Sequence, residues 1–526
     1  MFHCEITGCW ARAILCMFVR RCVGDEPTEA SHLSLAWGPG LSPASLVLPV
    51  RYFFIQAIDA AGNNCTLSPG KASFVLKIEA LKGRCGIHAE LLDRKDGTFV
   101  ARYRTYDTCH GLRISVHLKN GQHILHSPWI SEEDIVNSDC ECPVSLEEWK
   151  TAASCPESFP QIDKDLQDLE NRKLNVTEAF QALASRYHPQ SASFCHYVIR
   201  DVRLYRKCYG EHVGFAMFMD QTLLFLLRRT ALPSTEFIVN LGDYPLTSRK
   251  SGSGSSEQKQ PVFSWCGNVQ SFDIVMPTYD ITESSLHAMN RVTLDMLSVQ
   301  ATDTPVWDEK QTKAFWRGRD ARMERLRLVE LSRAHPDLID AALTNFFFFR
   351  DKEESHGPPG NRVDFFQFFQ SKYQLNLDGT VAAYRFPYLL AGDSLVFKQD
   401  SQYYEHFYND LQPGVHYIPV KRDLSDLEEK LEWAKTHDEE ARVIAKRGSD
   451  YARNNLLPHN IFCYYTLLIE KWSRSVSSPP SVVPKRFTEI AQPATMLTCP
   501  CQQDFKADTS GLSATKEIKD ELCRLI

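Results

Sequence analysis

The stretch Leu375–Lys398, LNLDGTVAAYRFPYLLAGDSLVFK, constrains the fold of this chain more than any other. It reads as strand, tight turn, short helix, tight turn, strand. Asp378-Gly379-Thr380 supplies a turn and a helix N-cap. Val381, Leu389 and Leu390 give an apolar face, Gly392 falls where a helix stops, and Ser394–Lys398 is a short β-prone run. A helix N-terminus behind such a turn presents free N–H groups and the positive end of the dipole, which suits a phosphate. Arg385, one turn further in, would add a bidentate contact to phosphate oxygens. A plain βαβ unit of an α/β core fits the same pattern, and from this stretch alone both readings stand.

A chain of 526 residues is long enough for roughly two to four domains with full cores. Its net charge of −7 argues against general binding to nucleic acid or acidic membranes. No apolar run reaches the ~18 residues that a membrane span needs. Seventeen cysteines is a high count. Cys140, Cys142 and Cys155 crowd together, and Cys499 and Cys501 stand near the end, but no spacing matches a CxxC…CxxC or CxxC…HxxxH zinc site. Asn64 and Asn175 each open an N-x-T glycosylation sequon. Together these favour an oxidising secretory compartment over a cytosolic chain with many buried thiols. Residues 1–28 form an atypical signal-like segment. Trp10–Val19 is mostly apolar but carries Arg12 and is followed by Arg20-Arg21, whereas a signal peptide places its charge first.

From residue 30 to 135 short alternating runs are separated by turn signals. Strands are expected over Val47–Ala57, Phe74–Ile78, Thr98–Tyr106, Leu112–Leu118 and His123–Leu125. About seven strands in roughly a hundred residues make an immunoglobulin-like β-sandwich. Residues 136–192 form a cysteine-rich hinge with charged helices over Gln161–Tyr187. Asp163-Lys164-Asp165 is formally a DxD, but on a polar helix it reads as a solvated face rather than a metal site.

From residue 193 the texture is α/β. The half at 193–310 shows a hairpin at His196–Tyr205, a helix over Phe215–Arg229, a buried strand over Glu236–Leu241, an exposed Ser/Gly-rich loop at Ser251–Gln260 and a helix over Ser284–Leu297. The half at 311–475 shows strands at Ala314–Trp316, Phe346–Phe349 and His416–Val420. A capping box at Ser425–Glu428 opens a helix ending near Gly448, and the last helix spans Ile461–Ser475. Residues 476–526 are a Pro/Ser/Thr-rich tail that reads as loose. Ligands of such sheets bind beyond the carboxyl ends of strands. That brings together four loops: Gly242–Pro245, Arg317–Asp320, Asp378–Arg385 and Gln399–His406.

Several of these segments resemble a known family. Trp316-Arg317-Gly318-Arg319-Asp320, Asp378–Arg385, Asn240–Pro245, Met276–Asp280 and Tyr403–Tyr408 look like the Rumi-type protein O-glucosyltransferases of the lipopolysaccharide-modifying glycosyltransferase family. Trp37–Leu41, Asp96–Phe99 and His126-Ser127-Pro128 resemble a filamin repeat, which points to the KDEL-motif-containing branch. The resemblance implies a GT-B fold of two Rossmann-like halves with UDP-glucose between them. It implies inverting transfer of glucose to a serine hydroxyl of EGF-like repeats without a metal ion. The work is then a general base on the acceptor hydroxyl and positive charge on the departing diphosphate.

Carried over residue by residue, Glu211 falls at the position of the catalytic carboxylate, with His212 and Asp243 as rivals. Arg317, Gly318, Arg319, Thr380, Val381, Ala382, Ala383, Tyr384 and Arg385 should hold the nucleotide sugar, and Asp243, Tyr244 and Pro245 should shape the acceptor and sugar side. The family also implies that Cys463 pairs with Cys140 or Cys142. One departure concerns location. Lys519-Asp520-Glu521-Leu522 resembles an endoplasmic-reticulum retrieval signal, but Cys523–Ile526 follow it and should mask it. Two other readings stay open: a non-catalytic luminal binding protein working through its sandwich, and the same transfer from UDP-xylose.

Overall fold

The computed structural model describes residues 29–501 apart from 168, 170, 171, 248–260, 302, 303, 478–482, 484, 485 and 495–498. The signal-like segment, the Ser251–Gln260 loop and Lys519–Leu522 lie outside the described residues.

The N-terminal sandwich has seven strands: β1 (Leu35–Trp37), β2 (Arg51–Gln56), β3 (Phe74–Lys82), β4 (Ile87–Asp93), β5 (Thr98–Thr105), β6 (Cys109–Leu118) and β7 (Trp129–Ile135). They form an antiparallel sheet in the order β1-β2-β5-β4 facing a second sheet, β3-β6-β7. Strand β2 has no polar face, and the packing explains why. Phe53 and Ile55 fill the sandwich core, whereas Tyr52 and Phe54 join the core of the α/β body. The sheet is covered on both sides, so both sets of alternate residues are apolar. The strand expected at His123–Leu125 reduces to one bridge, His117–His123, and the closing strand is β7.

The hinge carries α1 (Leu146–Ala152), α2 (Pro160–Leu166) and α3 (Val176–Arg186). Ser145 and Glu148 form a capping box on α1. Asp163 is paired with Lys471, and Asp165 accepts from Gln161 and from the Val275 N–H, so the DxD is consumed by packing. The expected pairing of Cys463 is corrected. Cys463 bonds Cys155, while Cys140 and Cys142 bond Cys499 and Cys501. The turn closing α1 lays Cys155 against the last helix, and the tail takes the other two thiols.

The first α/β half contains the β8 (Phe194–Arg200) and β9 (Arg203–Tyr209) hairpin, α4 (Ala216–Arg229), β10 (Thr235–Asn240), β11 (Phe263–Ser264), β12 (Gly267–Asn268), β13 (Ile274–Val275), α5 (Tyr279–His287) and α6 (Met296–Val299). The helix expected at Ser284–Leu297 is instead α5 and α6, because the chain leaves the helix at Ala288 and Met289 takes a positive φ of 54°. Strands β10, β11 and β13 run parallel, but β8 and β9 pair antiparallel at one side. This sheet is therefore mixed, unlike an all-parallel Rossmann half.

The second half has β14 (Gln311–Arg319), α7 (Met323–Ala334), β15 (Ile339–Asn345), α8 (Glu353–His356), β16 (Ser371–Asn376), α9 (Phe386–Ala391), β17 (Leu395–Gln399), β18 (Tyr403–Tyr404), β19 (Ile418–Val420), α10 (Leu427–Thr436), α11 (Asp438–Asn455) and α12 (Pro458–Ser473). Its sheet is parallel throughout, in the order β15-β14-β16-β17-β19.

Four expectations change here. The strand near Phe346–Phe349 is β15. The phenylalanine run follows it as a turn whose N–H groups from Phe347, Phe348 and Phe349 converge on the Asp320 carboxylate. Strand β14 extends through Arg317 to Arg319 instead of stopping at Trp316. The capping box at Ser425–Glu428 does not form, since Asp426 Oδ1 accepts from the Lys421 N–H. The long helix breaks at His437 into α10 and α11.

The halves are joined at several places among the described residues. Strand β12 of the first pairs antiparallel with β18 of the second. Helix α12 returns to the first half, where Tyr464 donates to Val275 O and Trp472 Nε1 to Glu236 O. The tail is less loose than expected. Residues Thr488–Glu489 form β20 against β9, and Cys499 and Cys501 are tied to the hinge.

Candidate active site

A cleft of about 590 Å³ opens between the two halves. Its second-half wall is built from the ends of β14 and β16. Between β16 and α9 the chain runs as a loop over residues 377–385, so α9 starts at Phe386 and not at Thr380. The expected N-cap at Asp378–Thr380 is thereby corrected. Pro387 is tolerated at the start of a helix and fits the later beginning. Arg385 stands at the N-cap position, not one turn inside.

This loop is shaped by two arginines of the α7 region. Arg322 donates to Gly379 O at 2.6 Å and Thr380 O at 2.8 Å. Buried Arg325 donates to Leu377 O, Asp378 O and Arg319 O, bracing the ends of β14 and β16. Burial and neighbouring cations pull the Arg325 guanidinium down to about 9. The loop's backbone is thus held from behind, through its carbonyls. The N–H groups of Thr380, Val381, Ala382, Ala383 and Tyr384 take no acceptor among the described residues. They line the cleft as a run of free donors.

Arg317, Arg319 and Arg385 face the same cleft. They differ in what already occupies them. Arg317 is paired with Asp340 at 2.7 Å and lies over the Phe315 ring. Arg385 donates to Arg317 O at 2.6 Å, and burial lowers it to about 10 while Asp280 opposes the shift. The Arg319 guanidinium has no hydrogen-bond or ion-pair partner among the described residues. Gly318 lies against the Trp316 ring, which a Cβ would meet at 2.6 Å. Sequence reasoning missed Arg325 and Arg362, which also line the cleft. A run of cations after β14 was the available signal for Arg325; nothing local marked Arg362.

The first-half wall carries Asp243, Tyr279, Asp280 and Leu294. Asp243 is positioned by a buried polar network. Asn240 donates to Tyr244 O and Ser264 Oγ and accepts from the Gly242 N–H. Asp273, wholly enclosed, accepts from the N–H groups of Leu246 and Thr247 and from Ser264 Oγ at 2.6 Å. The Cys266 thiol donates to Asp243 O. Both ends of the Gly242–Thr247 turn are therefore pinned, and the Asp243 carboxyl projects beyond it. Crowding by the cleft walls raises its pKa above the usual carboxylate value, and Arg319 restrains the rise.

Among the sequence candidates, the structure brings together Asp243 with Arg317–Arg319 and Thr380–Arg385. Tyr244 is exposed beside them, and Pro245 continues the turn. Glu211 does not line the cleft. It is exposed after β9, its N–H donating to Pro189 O and that of His212 to Ser193 Oγ. The fourth expected loop, Gln399–His406, does not line the cleft either. Instead it supplies β18, the strand that pairs across to the first half. Asn175 is exposed and caps α3 through its side-chain oxygen, and Asn64 is half-buried. Among the described residues no three His, Cys, Asp or Glu side chains come together in a metal-binding group.

The model of glycosyl transferase family 90 matches residues 150–525, and that of the filamin/ABP280 repeat matches residues 27–130. Protein O-glucosyltransferase 2 of Danio rerio is 50% identical over 455 residues, covering 85% of this chain and 88% of the relative. Protein O-glucosyltransferase 3 of Homo sapiens is 47% identical over 462 residues, covering 87% and 90%. Protein O-glucosyltransferase 1 of Homo sapiens is 32% identical over 291 residues, covering 54% of this chain and 72% of its own. The resemblance read from the motifs agrees with these likenesses.

Proposed function

The chain belongs to glycosyl transferase family 90 behind a filamin-type repeat, and from that premise we propose that it transfers glucose from UDP-glucose to serine hydroxyls of EGF-like repeats. The observation that carries this reading is the cleft. Free backbone donors and arginines stand on one wall and a carboxylate of raised pKa on the other. Arg319, Arg385 and the Thr380–Tyr384 N–H groups suit a diphosphate. They would stabilise the charge that develops as it departs, so the reading needs no metal ion. An in-line attack from the opposite wall inverts the anomeric centre. The two-lobed arrangement supports the GT-B reading, with a mixed sheet in the first lobe.

The base on the attacking hydroxyl is best assigned to Asp243, a cleft-wall acid carried on the pinned Gly242–Thr247 turn that faces the arginine wall. Glu211 is the second candidate. Ser193 links it to the same turn, accepting from His212 N–H through its hydroxyl and from Leu241 N–H through its carbonyl. Five disulfides among the described residues fit synthesis in the endoplasmic reticulum lumen, with Asn64 and Asn175 as glycosylation sites. The test is transfer from radiolabelled UDP-glucose and UDP-xylose to a folded EGF-like repeat in EDTA. Serine-linked glucose is expected. Bound UDP without transfer to several repeats would favour a luminal binding protein, and preferred xylose would rename the donor.

A further inference from the structure

One cleft group has no role in that scheme. Asp280 lies in the first turn of α5 and lines the cleft beside Tyr279. Its backbone is fixed across the lobes, since Tyr388 donates to Asp280 O at 3.3 Å and to Ser284 Oγ at 2.8 Å. Its carboxylate has no hydrogen-bond or ion-pair partner among the described residues. Asp280 is exposed to the cleft, whereas two buried carboxylates of the region are spent on the protein itself. Asp273 accepts several donors, and Asp320 accepts three N–H groups. Arg385 faces Asp280 and favours its charged form, against burial and Glu283, which raise it to about 6. An acceptor-only group is thus held, unused, in a cleft whose other side is a field of donors.

A phosphate would be repelled there. The complementary ligand part is neutral and carries hydroxyl donors. We propose that Asp280 determines donor-sugar specificity, accepting hydrogen bonds from hydroxyls of a neutral hexose and repelling nucleotide sugars whose sugar bears a carboxylate. The proposal rests on the nucleotide-sugar reading of the cleft and adds a polarity to it. Arg319 and the Thr380–Tyr384 amides take the diphosphate, Asp280 takes the sugar hydroxyls, and Arg385 stands between. Asp243 is left to the acceptor.

The experiment is calorimetric binding of UDP, UDP-glucose and UDP-glucuronate to wild type, Asp280→Ala and Asp280→Asn, with thermal melting to confirm folding. UDP is the reference for each protein, and its affinity should hold or tighten, because removing Asp280 takes a negative charge away from Arg385. In Asp280→Ala the Kd ratio of UDP-glucose to UDP should rise about tenfold or more, the loss of a charge-assisted hydrogen bond. Asp280→Asn keeps an acceptor and drops the charge, so UDP-glucuronate should tighten about tenfold while UDP-glucose changes less. Unchanged ratios in both folded variants would overturn the assignment. No UDP binding by folded wild type would overturn the donor-site reading and this proposal with it.

Discussion

Glu405, outside the cleft, is the residue at which a pH dependence of stability is expected. It is fully buried, accepts from Tyr408 at 3.2 Å through Oε1, and has no partner for Oε2. Burial raises its pKa from 4.5 to about 8; Asp280 adds to the rise, and Tyr408 and Lys398 oppose it. A carboxyl raised in the folded state binds its proton more tightly there than in the unfolded chain. Its contribution to stability is therefore fully present below pH 4.5 and is lost as pH rises toward 8. Glu405→Gln removes that loss. Its melting temperature relative to wild type should climb between pH 5 and pH 8, by an amount on the order of a few kcal/mol in stability. A constant difference across that range would show that Glu405 does not titrate there.

At the scale of elements, the loop at 377–385 depends on α7. Arg322→Met keeps much of the side-chain volume but removes the donors to Gly379 O and Thr380 O. The Thr380–Tyr384 amides should then lose their alignment. The KM for the donor is expected to rise about tenfold, the value of one or two charged hydrogen bonds, with kcat changed much less. An unchanged KM would mean that Arg325 alone shapes the loop.

The sequence carried much of this element. The LNLDGTVAAYR run marked the loop, Gly392 and the β17 run marked its end, and Arg385 was singled out. It did not show that Phe386-Pro387 starts the helix, because Asp378–Thr380 offers an equally good local N-cap and only the Arg322 and Arg325 clamps decide between them. Glu211 was legible as a carboxylate at a suitable spacing, and the structure places it outside the cleft; the pinning of Asp243 by Asn240, Asp273 and Cys266 is tertiary and has no local signature. Asp280 belongs to the Met276–Asp280 motif but nothing in the sequence assigns it a role, since a carboxylate without a protein partner is visible only when its surroundings are known. The disulfides fail similarly: the thiols were evident, but the choice of Cys155 for Cys463 follows from how α1 packs on α12.

Across the whole molecule, the sandwich keeps a core of its own and lends one face to the core of the α/β body. Tyr52, Phe54 and Val100 pack with it, and sandwich Arg102 donates through Nη1 to both carboxylate oxygens of Asp295, the N-cap of α6, next to Leu294 of the cleft wall. The tail is tied to the hinge and α12 to the first lobe, so the cleft is framed by elements from the full length of the described chain. Such a frame suits a reaction that needs its base and its leaving-group cations at fixed separation. The most direct measurement is turnover of UDP-glucose onto a folded EGF-like repeat by wild type, Asp243→Asn and Glu211→Gln, with UDP affinity recorded for each. The account predicts that Asp243→Asn keeps UDP affinity and loses about 10²–10⁴-fold in kcat, and that Glu211→Gln stays within a few-fold of wild type. Full turnover by Asp243→Asn, or collapse of turnover in Glu211→Gln with UDP still bound, would contradict it.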